Sequence, residues 1–170
     1  APESAVDPVL VGAKIVDGLQ SIISRQIAPQ ETAVVSNTVF QAGNAVSANI
    51  IPKRALLAGS VRTLTPEARE TASRSITKIA QGIAEAYGAK ATVKYRHGYD
   101  SIQNDPESTE VVRYILRKVL GYDTTWLTGN PEGEDLSAYP TLVPGCYIQL
   151  GSKEKGFEAP DHSPVFKVND

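Results

Sequence analysis

The 170-residue sequence contains no methionine, one cysteine and one tryptophan. It also has no apolar run that approaches the roughly 20 residues of a membrane-spanning helix, and its first residues, APESAVDPVL, lack the features of a signal peptide. We therefore expect a soluble chain without a membrane partner. The lone Cys146 excludes an internal disulfide, which favours the cytoplasm. Because the chain begins with Ala and lacks Met, we expect that it was processed or cut from a larger protein.

The chain has only a small excess of charge of one sign. Lys and Arg number 17 against 19 Asp and Glu, and the net charge is -2. Without a basic field that would neutralise phosphates, nucleic acid is excluded as the expected partner. The hydrophobic content of 41% is enough to build a core.

Three polar residues, each followed by proline, predict helix starts at Asp7, Thr65 and Asp105. The third helix carries an apolar stripe at helical spacing, which predicts a buried face. The stripe consists of Val111, Val112, Ile115, Val119 and Leu120. Runs rich in β-formers predict strands. These strands are Ala33–Phe40, residues 52–61, Ala91–Arg96 and Cys146–Leu150.

The predicted order over residues 1–100 is helix, strand, strand, helix, strand, and we expect one more strand just before residue 1. This order predicts an α+β, ferredoxin-like unit, in which two helices cover one face of a four-stranded antiparallel sheet. The polar, turn-forming segment 98–106 predicts a boundary. We therefore expect two domains, residues 1–100 and residues 101–170.

Two polar loops near the C-terminus offer candidates for chemistry. His162, between Asp161 and Ser163, suits a metal ligand or an acid/base, or else it is an exposed loop histidine. Glu132, Glu134 and Asp135 could bind metal or act as acid and base, or form a solvated acidic loop. The chain has no second histidine at zinc-ligand spacing.

Asn49 and Arg62 flank the stretch NIIPKRALLAGSVRT. An arginine fork matches a carboxylate, and an asparagine amide can donate to a carbonyl oxygen or an oxyanion. The alternatives are an asparagine that caps a loop and an arginine that pairs with a surface acid. We interpret His97 as structural or surface and Cys146 as a small buried apolar residue.

Five segments resemble, in order, the second half of the metal-dependent amidohydrolases of the aminoacylase and carboxypeptidase type. They read DPVLVGAKIVDGLQSIISR, FQAGNAVSANIIPKRALLAGSVRTL, GEDLSAY, VPGCYIQLG and DHSPVF. Hippurate hydrolase and the indole-acetyl-amino-acid hydrolases are the subgroup that the sequence resembles most.

The resemblance implies a lid or dimerisation domain at residues 1–100 and the C-terminal portion of a catalytic domain at residues 101–170. It implies that His162 is a metal ligand, that Asn49 and Arg62 contact substrate, and that Glu134 lies in a family motif. It also implies a divalent metal, zinc or manganese, in the intact enzyme, an N-acyl amino acid as substrate, and a homodimer.

The chain also departs from the family pattern. The family's other metal ligands and its paired-glutamate base belong to an N-terminal half that this sequence lacks. The family's lid histidine would fall immediately before Ala1, and Leu136 replaces the usual Phe. One ligand cannot assemble a hydrolytic metal site, so we expect this chain alone to be inactive, with the divalent metal bound in the intact enzyme. The alternative hypothesis is a non-catalytic binding or dimerisation module derived from that family.

Overall fold

A computed structural model describes residues 2–126, 135–139, 142–151, 156, 159 and 163–167. The helices are α1 (Pro8–Leu19), α2 (Ser21–Arg25), α3 (Pro66–Ala86) and α4 (Pro106–Tyr114), and the strands are β1 (Ala33–Ala42) and β2 (Ala55–Thr63). A π-helical turn, Ile115–Val119, continues α4. Short 3-10 turns occur at Pro2–Ser4, Ala45–Ser47 and Asp135–Ala138.

The three longer helices begin where the sequence predicts. Asp7, Thr65 and Asp105 are the N-cap residues of α1, α3 and α4, and each precedes a proline in the first turn. Their side-chain oxygens accept hydrogen bonds from backbone N–H groups of the first turn, at 2.8, 3.2 and 2.8 Å. These bonds satisfy donors that have no partner within the helix, so the starts are fixed locally.

The described sheet consists of β1 and β2, which pair antiparallel with Ala33 opposite Thr63 at one end. A bulge between Asn37 and Val39 inserts an extra residue into β1. Because side chains alternate along a strand, this extra residue moves the inward-facing set in β1 from odd to even positions. Gly59 lies opposite Asn37 at the bulge.

The core lies between the sheet and two helices. Helices α1 and α3 contact each other and both strands, so they cover the same face of the sheet. The helices approach closely at Gly18, where an added Cβ would lie 2.6 Å from Cδ1 of Ile83. The α3 residues in the apolar core are all alanines, which lets the helices lie near one another. The buried apolar residues are Val11, Ile15, Leu19, Ile22, Ile27, Ala68, Ala72, Ala80 and Ala84.

The α+β class is confirmed, but two predicted strands do not pair. Residues 89–105 and 144–151 have no regular secondary structure, so the ladders expected at Ala91–Arg96 and Cys146–Leu150 are absent from the part of the chain that the structure describes. The first segment keeps the exposure pattern of a strand, because Ala91, Val93 and Tyr95 are half-buried and the residues between them are exposed. It therefore has the alternating side-chain exposure of a strand but is not hydrogen-bonded to a neighbouring strand in the described structure.

The predicted buried face of α4 is wrong for most of its residues. Val111, Ile115, Val119 and Leu120 are 44 to 67% exposed. Among the described elements, α4 packs only against the π-helical turn that follows it. An apolar stripe is buried only where another element covers it, and no described element does so here. None of the described helices has both the length and the apolar character that crossing a bilayer requires.

Candidate functional site

Asn49 lies in the turn between the 3-10 turn Ala45–Ser47 and β2. The 3-10 turn Ala45–Ser47 is capped by another residue, Asn44, whose side chain accepts a hydrogen bond from Val46 N at 2.9 Å. The side chain of Asn49 is exposed and makes no hydrogen bond to the described residues. The Asn49 amide is therefore available to a ligand rather than used as the cap of this turn.

Arg62 is the second-last residue of β2, opposite Val34 of β1. It is exposed, and it lies on the face of the sheet opposite to Val61 and to the helices. At about 3.4 Å per residue, Arg62 lies about 24 Å along β2 from Ala55. Asn49 precedes Ala55 in the chain, and no hydrogen bond joins its side chain to Arg62, the other predicted substrate residue.

A groove of about 1080 Å³ runs between β2 and residues 89–96, and Arg62 forms part of its lining. Its floor is apolar, because it includes Val11, Ile15, Ala80 and Ala84 of the helices. Its rim is basic, with Asp100 as the acidic residue in the lining. The basic residues of the lining are Lys53, Arg54, Arg62, Arg69, Lys90, Lys94 and Arg96. The groove is suited to a partly apolar, anionic ligand.

Arg69 of α3 links this helix to residues 99 and 100, which also line the groove. Its guanidinium pairs with the Asp100 carboxylate and donates to the carbonyl of Tyr99 at 3.0 Å.

The rings of Tyr95 and His97 meet edge to face, with centroids 5.0 Å apart. Burial raises the pKa of Tyr95, an effect that nearby Arg69 opposes and Glu70 reinforces. His97 is exposed, as the sequence interpretation expected for a surface histidine.

Asn104 ties the segment that follows residue 100 to the segment around Cys146. Its side chain accepts from Tyr147 N at 2.8 Å and donates to Tyr147 O at 2.9 Å. The Asn104 amide also lies 3.5 Å from the Cys146 thiol, which is half-buried. Sequence reasoning missed both Asn104 and Arg69, because a polar residue in a turn or on a helix carries no signal of a distant partner.

The predicted metal and acid candidates His162, Glu132 and Glu134 lie outside the described residues. Asp135 begins the 3-10 turn Asp135–Ala138. Within the described ranges, no group of three or more His, Cys, Asp or Glu residues could hold a metal ion. The described residues therefore do not by themselves fit a metal centre, and the prediction for His162 stays a prediction.

Comparison with known proteins gives the context of this arrangement. No family model matches the chain. The chain is 36% identical over 169 residues to N-acetylcysteine deacetylase of Bacillus subtilis, a match that covers 99% of the chain and 43% of that protein. It is 32% identical to thermostable carboxypeptidase 1 of Saccharolobus solfataricus, over 100% of the chain and 43% of the relative. The chain thus spans less than half the length of these relatives.

Solved structures agree with the sequence matches. A Staphylococcus aureus protein described as an aminohydrolase superposes with a TM-score of 0.82 at 30% identity, over 98% of this chain and 43% of that one. The YXEP protein of Bacillus subtilis, described as a dinuclear metal-binding peptidase of the M20 family, gives a TM-score of 0.76 at 32% identity, over 96% and 41%.

The α+β fold of this chain is thus shared with part of a protein described as a dinuclear metal-binding peptidase. The chain belongs to the metal-dependent amidohydrolase and peptidase family that includes these deacetylases, carboxypeptidases and M20 peptidases.

Proposed function

We propose that the chain supplies the lid and the C-terminal portion of an enzyme that hydrolyses the amide bond of N-acyl amino acids. The observation that carries the proposal is the match over 99% of the chain to N-acetylcysteine deacetylase. A second relative, 29% identical over 170 residues, is N-acetyldiaminopimelate deacetylase of Lactococcus lactis. By their names, both relatives act on an acetylated amino acid, which supports the same substrate class here.

In this proposal, Arg62 binds the carboxylate of the substrate. Its position supports the role, because the end of a paired strand is rigid and the side chain lies on the face that the helices leave open. A guanidinium fork can donate two parallel hydrogen bonds to one carboxylate, which fixes orientation as well as adding binding energy. Lys94 and Arg96 in the same groove lining reinforce the attraction for an anion.

Asn49 stabilises the oxyanion that forms when water attacks the amide carbonyl. Its side chain is exposed and is not engaged by the described residues. Preorganised donors of this kind stabilise developing charge in the transition state. Because no hydrogen bond joins Asn49 to Arg62, either one bound substrate spans both side chains or the turn rearranges to bring them together.

The intact enzyme uses a divalent metal, zinc or manganese, with His162 as the ligand from this chain and Glu134 in an adjacent family motif. The remaining ligands come from polypeptide outside this chain, so the chain alone is inactive. Residues 1–100 form the lid and residues 101–170 the catalytic portion. The packing supports this division, because among the described residues the apolar core and the side chains packed against it all precede residue 94, and α4 contacts no helix or strand of that core.

The partners in this proposal are a small-molecule N-acyl amino acid and a second copy of the protein. β1 forms an edge of the described sheet, and an edge strand can pair with the same strand of another copy. The competing function is a non-catalytic dimerisation or binding module. The exposed apolar face of α4 favours it, since such a face suits a protein contact as well as the missing part of a catalytic domain.

The test of the hydrolase proposal uses Arg62→Gln in the intact protein, with Arg74→Gln as the matched control. Arg74 is an exposed arginine of α3 that does not line the groove. Loss of a charged hydrogen bond of about 1.5–3 kcal/mol predicts a fall in kcat/KM of roughly 10 to 150-fold for an N-acetyl amino acid. The same variant should change the hydrolysis of the corresponding N-acetyl amino acid amide little, because that substrate lacks the carboxylate.

The control variant should keep wild-type kcat/KM on both substrates. Equal losses on the acid and the amide would refute the carboxylate contact. Absence of hydrolysis in the intact wild-type protein, together with dimerisation that depends on β1, would favour the non-catalytic module.

A further inference from the structure

We propose that a pocket at the turn between β1 and β2 binds a second carboxylate of the substrate, with Lys53 and Arg54 as its cationic groups. The substrate is then an N-acyl amino acid that carries two carboxylates, of which Arg62 binds the α-carboxylate. The inference rests on the proposed function, because it assumes that the intact protein hydrolyses N-acyl amino acids.

This turn pocket has a volume of about 730 Å³ and lies where β1 ends and β2 begins. Its lining comes from residues 41–44, Ser47, Ile50 and residues 52–56. Pockets that hold small organic ligands have volumes of roughly 300–1,000 Å³. The turn pocket therefore has room for a chain that bears a carboxylate, which is larger than an acetyl group.

Two hydrogen-bonded turns fix one wall of the turn pocket. Ser47 N donates to Asn44 O at 3.1 Å, and Ile50 N donates to Ser47 O at 3.1 Å. Gly43, just before the Asn44 cap, has a φ of 68°, a conformation that residues with a side chain rarely adopt. Local bonds thus hold the backbone of residues 43–50, so the wall is in place before a ligand binds.

The ionised side chains in the lining of the turn pocket are both positive. Lys53 and Arg54 are exposed, and neither forms an ion pair or a hydrogen bond with the described residues. No Asp or Glu is among the described residues that line the pocket. Two neighbouring cations without a carboxylate partner attract an anion more strongly than either does alone.

The apolar part of the lining indicates what kind of anion the turn pocket takes. Ile50 is 63% exposed and Leu56 is 55% exposed, and Pro52 lies between them in the chain. A carboxylate on an aliphatic chain can cover this apolar surface while its charge meets the cations. Inorganic phosphate has no apolar part, so it would leave the same surface in water.

The turn pocket adjoins the residue to which the proposed function assigns the oxyanion. Asn49 is the third residue of the turn that Ser47 and Ile50 close, and both closing residues line the pocket. The oxyanion forms on the carbonyl of the scissile amide. The groups attached to that amide, which are the acyl chain and the amino acid side chain, are therefore the parts of the substrate nearest to the pocket.

The cations of the turn pocket reach the substrate together with Asn49. Lys53 and Arg54 follow Asn49 by four and five residues, whereas Arg62 lies about 24 Å along β2 from Ala55 of the pocket lining. The proposed function requires Asn49 and Arg62 to act on one substrate. Any arrangement that meets this requirement also brings the turn pocket to that substrate.

The test measures kcat/KM of the intact protein on two pairs of substrates, each with a charged member and a neutral isostere. N-succinyl-leucine, with its second carboxylate on the acyl chain, is compared with its succinamide analogue. N-acetylglutamate, with its second carboxylate on the side chain, is compared with N-acetylglutamine. The variant is Lys53→Gln/Arg54→Gln. The matched control, Arg74→Gln/Lys78→Gln, removes the same charge from exposed positions of α3 outside the groove and the turn pocket.

The wild type should prefer the charged member of at least one pair by about tenfold, the size expected for a hydrogen bond to a charged group. The Lys53→Gln/Arg54→Gln variant should lose this preference, and the control variant should keep it. Each pair that shows the preference identifies a chain, acyl or side chain, that the pocket accepts. Absence of a preference in both pairs, or a preference that survives in Lys53→Gln/Arg54→Gln, would overturn the proposal.

Calorimetric titration of the same four compounds, after removal of metal with a chelator, separates this inference from the proposed function. Hydrolysis without a preference would overturn the second carboxylate and leave the hydrolase proposal standing. No hydrolysis by the metal-loaded protein, with tighter binding of a charged member that Lys53→Gln/Arg54→Gln loses, would overturn the hydrolase proposal and support the pocket. Equal binding of charged and neutral members would overturn the pocket in either case.

Discussion

Replacing Gly59 by Ala should destabilise the fold through a direct clash with the backbone of β1. A Cβ atom on Gly59 would lie 2.0 Å from the carbonyl oxygen of Ser36, 2.9 Å from its carbonyl carbon and 3.0 Å from Cα of Asn37. These are backbone atoms beside the bulge, so no side chain can rotate away. The φ angle of Gly59 is not in the left-handed region, and therefore the expected cost is steric rather than conformational.

The magnitude follows from the displacement required. The strands must separate by roughly 1 Å to bring the contact to 3 Å, and overpacking of this kind costs about 1–3 kcal/mol. Gly82→Ala is the matched control, because its added Cβ meets nothing within 4 Å on the exposed side of α3. Alanine is preferred to glycine inside a helix by about 0.8–1 kcal/mol. The two Gly→Ala changes should thus have opposite signs and differ by about 2–4 kcal/mol.

Urea unfolding followed by far-ultraviolet circular dichroism measures both variants. With a slope of about 1–3 kcal/mol per molar urea, Gly59→Ala should lower the midpoint by about 1 M, and Gly82→Ala should raise it. A Gly59→Ala midpoint equal to or above that of the wild type would refute the close approach at the bulge.

Three further predictions concern the core and two titrating groups. Ile22 is 0% exposed, so Ile22→Ala should lower the free energy of unfolding in urea by about 2–5 kcal/mol. Ile23→Ala, at an exposed position, should lower it much less. Similar losses in the two variants would contradict the packing. Burial raises the pKa of Tyr95, so its stabilising contribution is complete below pH 10.0 and is lost as pH rises through the higher pKa of the folded state. A tyrosinate absorbance titration should show a late-ionising group that disappears in Tyr95→Phe, and an unchanged titration curve would count against this. Hydrogen bonds from the Ser108 backbone and side chain lower the pKa of Asp105 below its ordinary 3.8. The contribution of Asp105 to the free energy of unfolding is therefore present above pH 3.8 and is lost as pH falls through the lower pKa of the folded state. Nuclear magnetic resonance shifts of the first turn of α4 should follow this acid transition in the wild type but not in Asp105→Asn, and the same transition in both proteins would show another cause.

The sequence was sufficient for the features that depend on neighbours along the chain. The caps at Asp7, Thr65 and Asp105 were predicted correctly, because capping involves only the next few residues. The strands β1 and β2 were each predicted from a run rich in β-forming residues. The α+β class follows from these elements together.

Features that depend on distant neighbours were not predictable from pattern alone. Residues 91–96 have the alternation of a strand, but a ladder also needs an adjacent strand, and none is bonded to them in the described structure. The stripe on α4 has helical spacing but lacks a covering element. Of the predicted site, the structure describes Asn49 and Arg62 as exposed residues, while the metal role of His162 remains a prediction.

The most direct test of the central claim is metal content and hydrolysis of N-acyl amino acids, measured on the purified 170-residue chain and on the intact protein in parallel. The account predicts near-stoichiometric divalent metal and turnover in the intact protein, and neither in the chain alone, because the proposal assigns this chain a single metal ligand, His162, and one ligand cannot assemble a hydrolytic metal site. Turnover with bound metal in the chain alone would contradict the claim that its active site needs further polypeptide. Absence of both from the intact protein would contradict the hydrolase proposal itself.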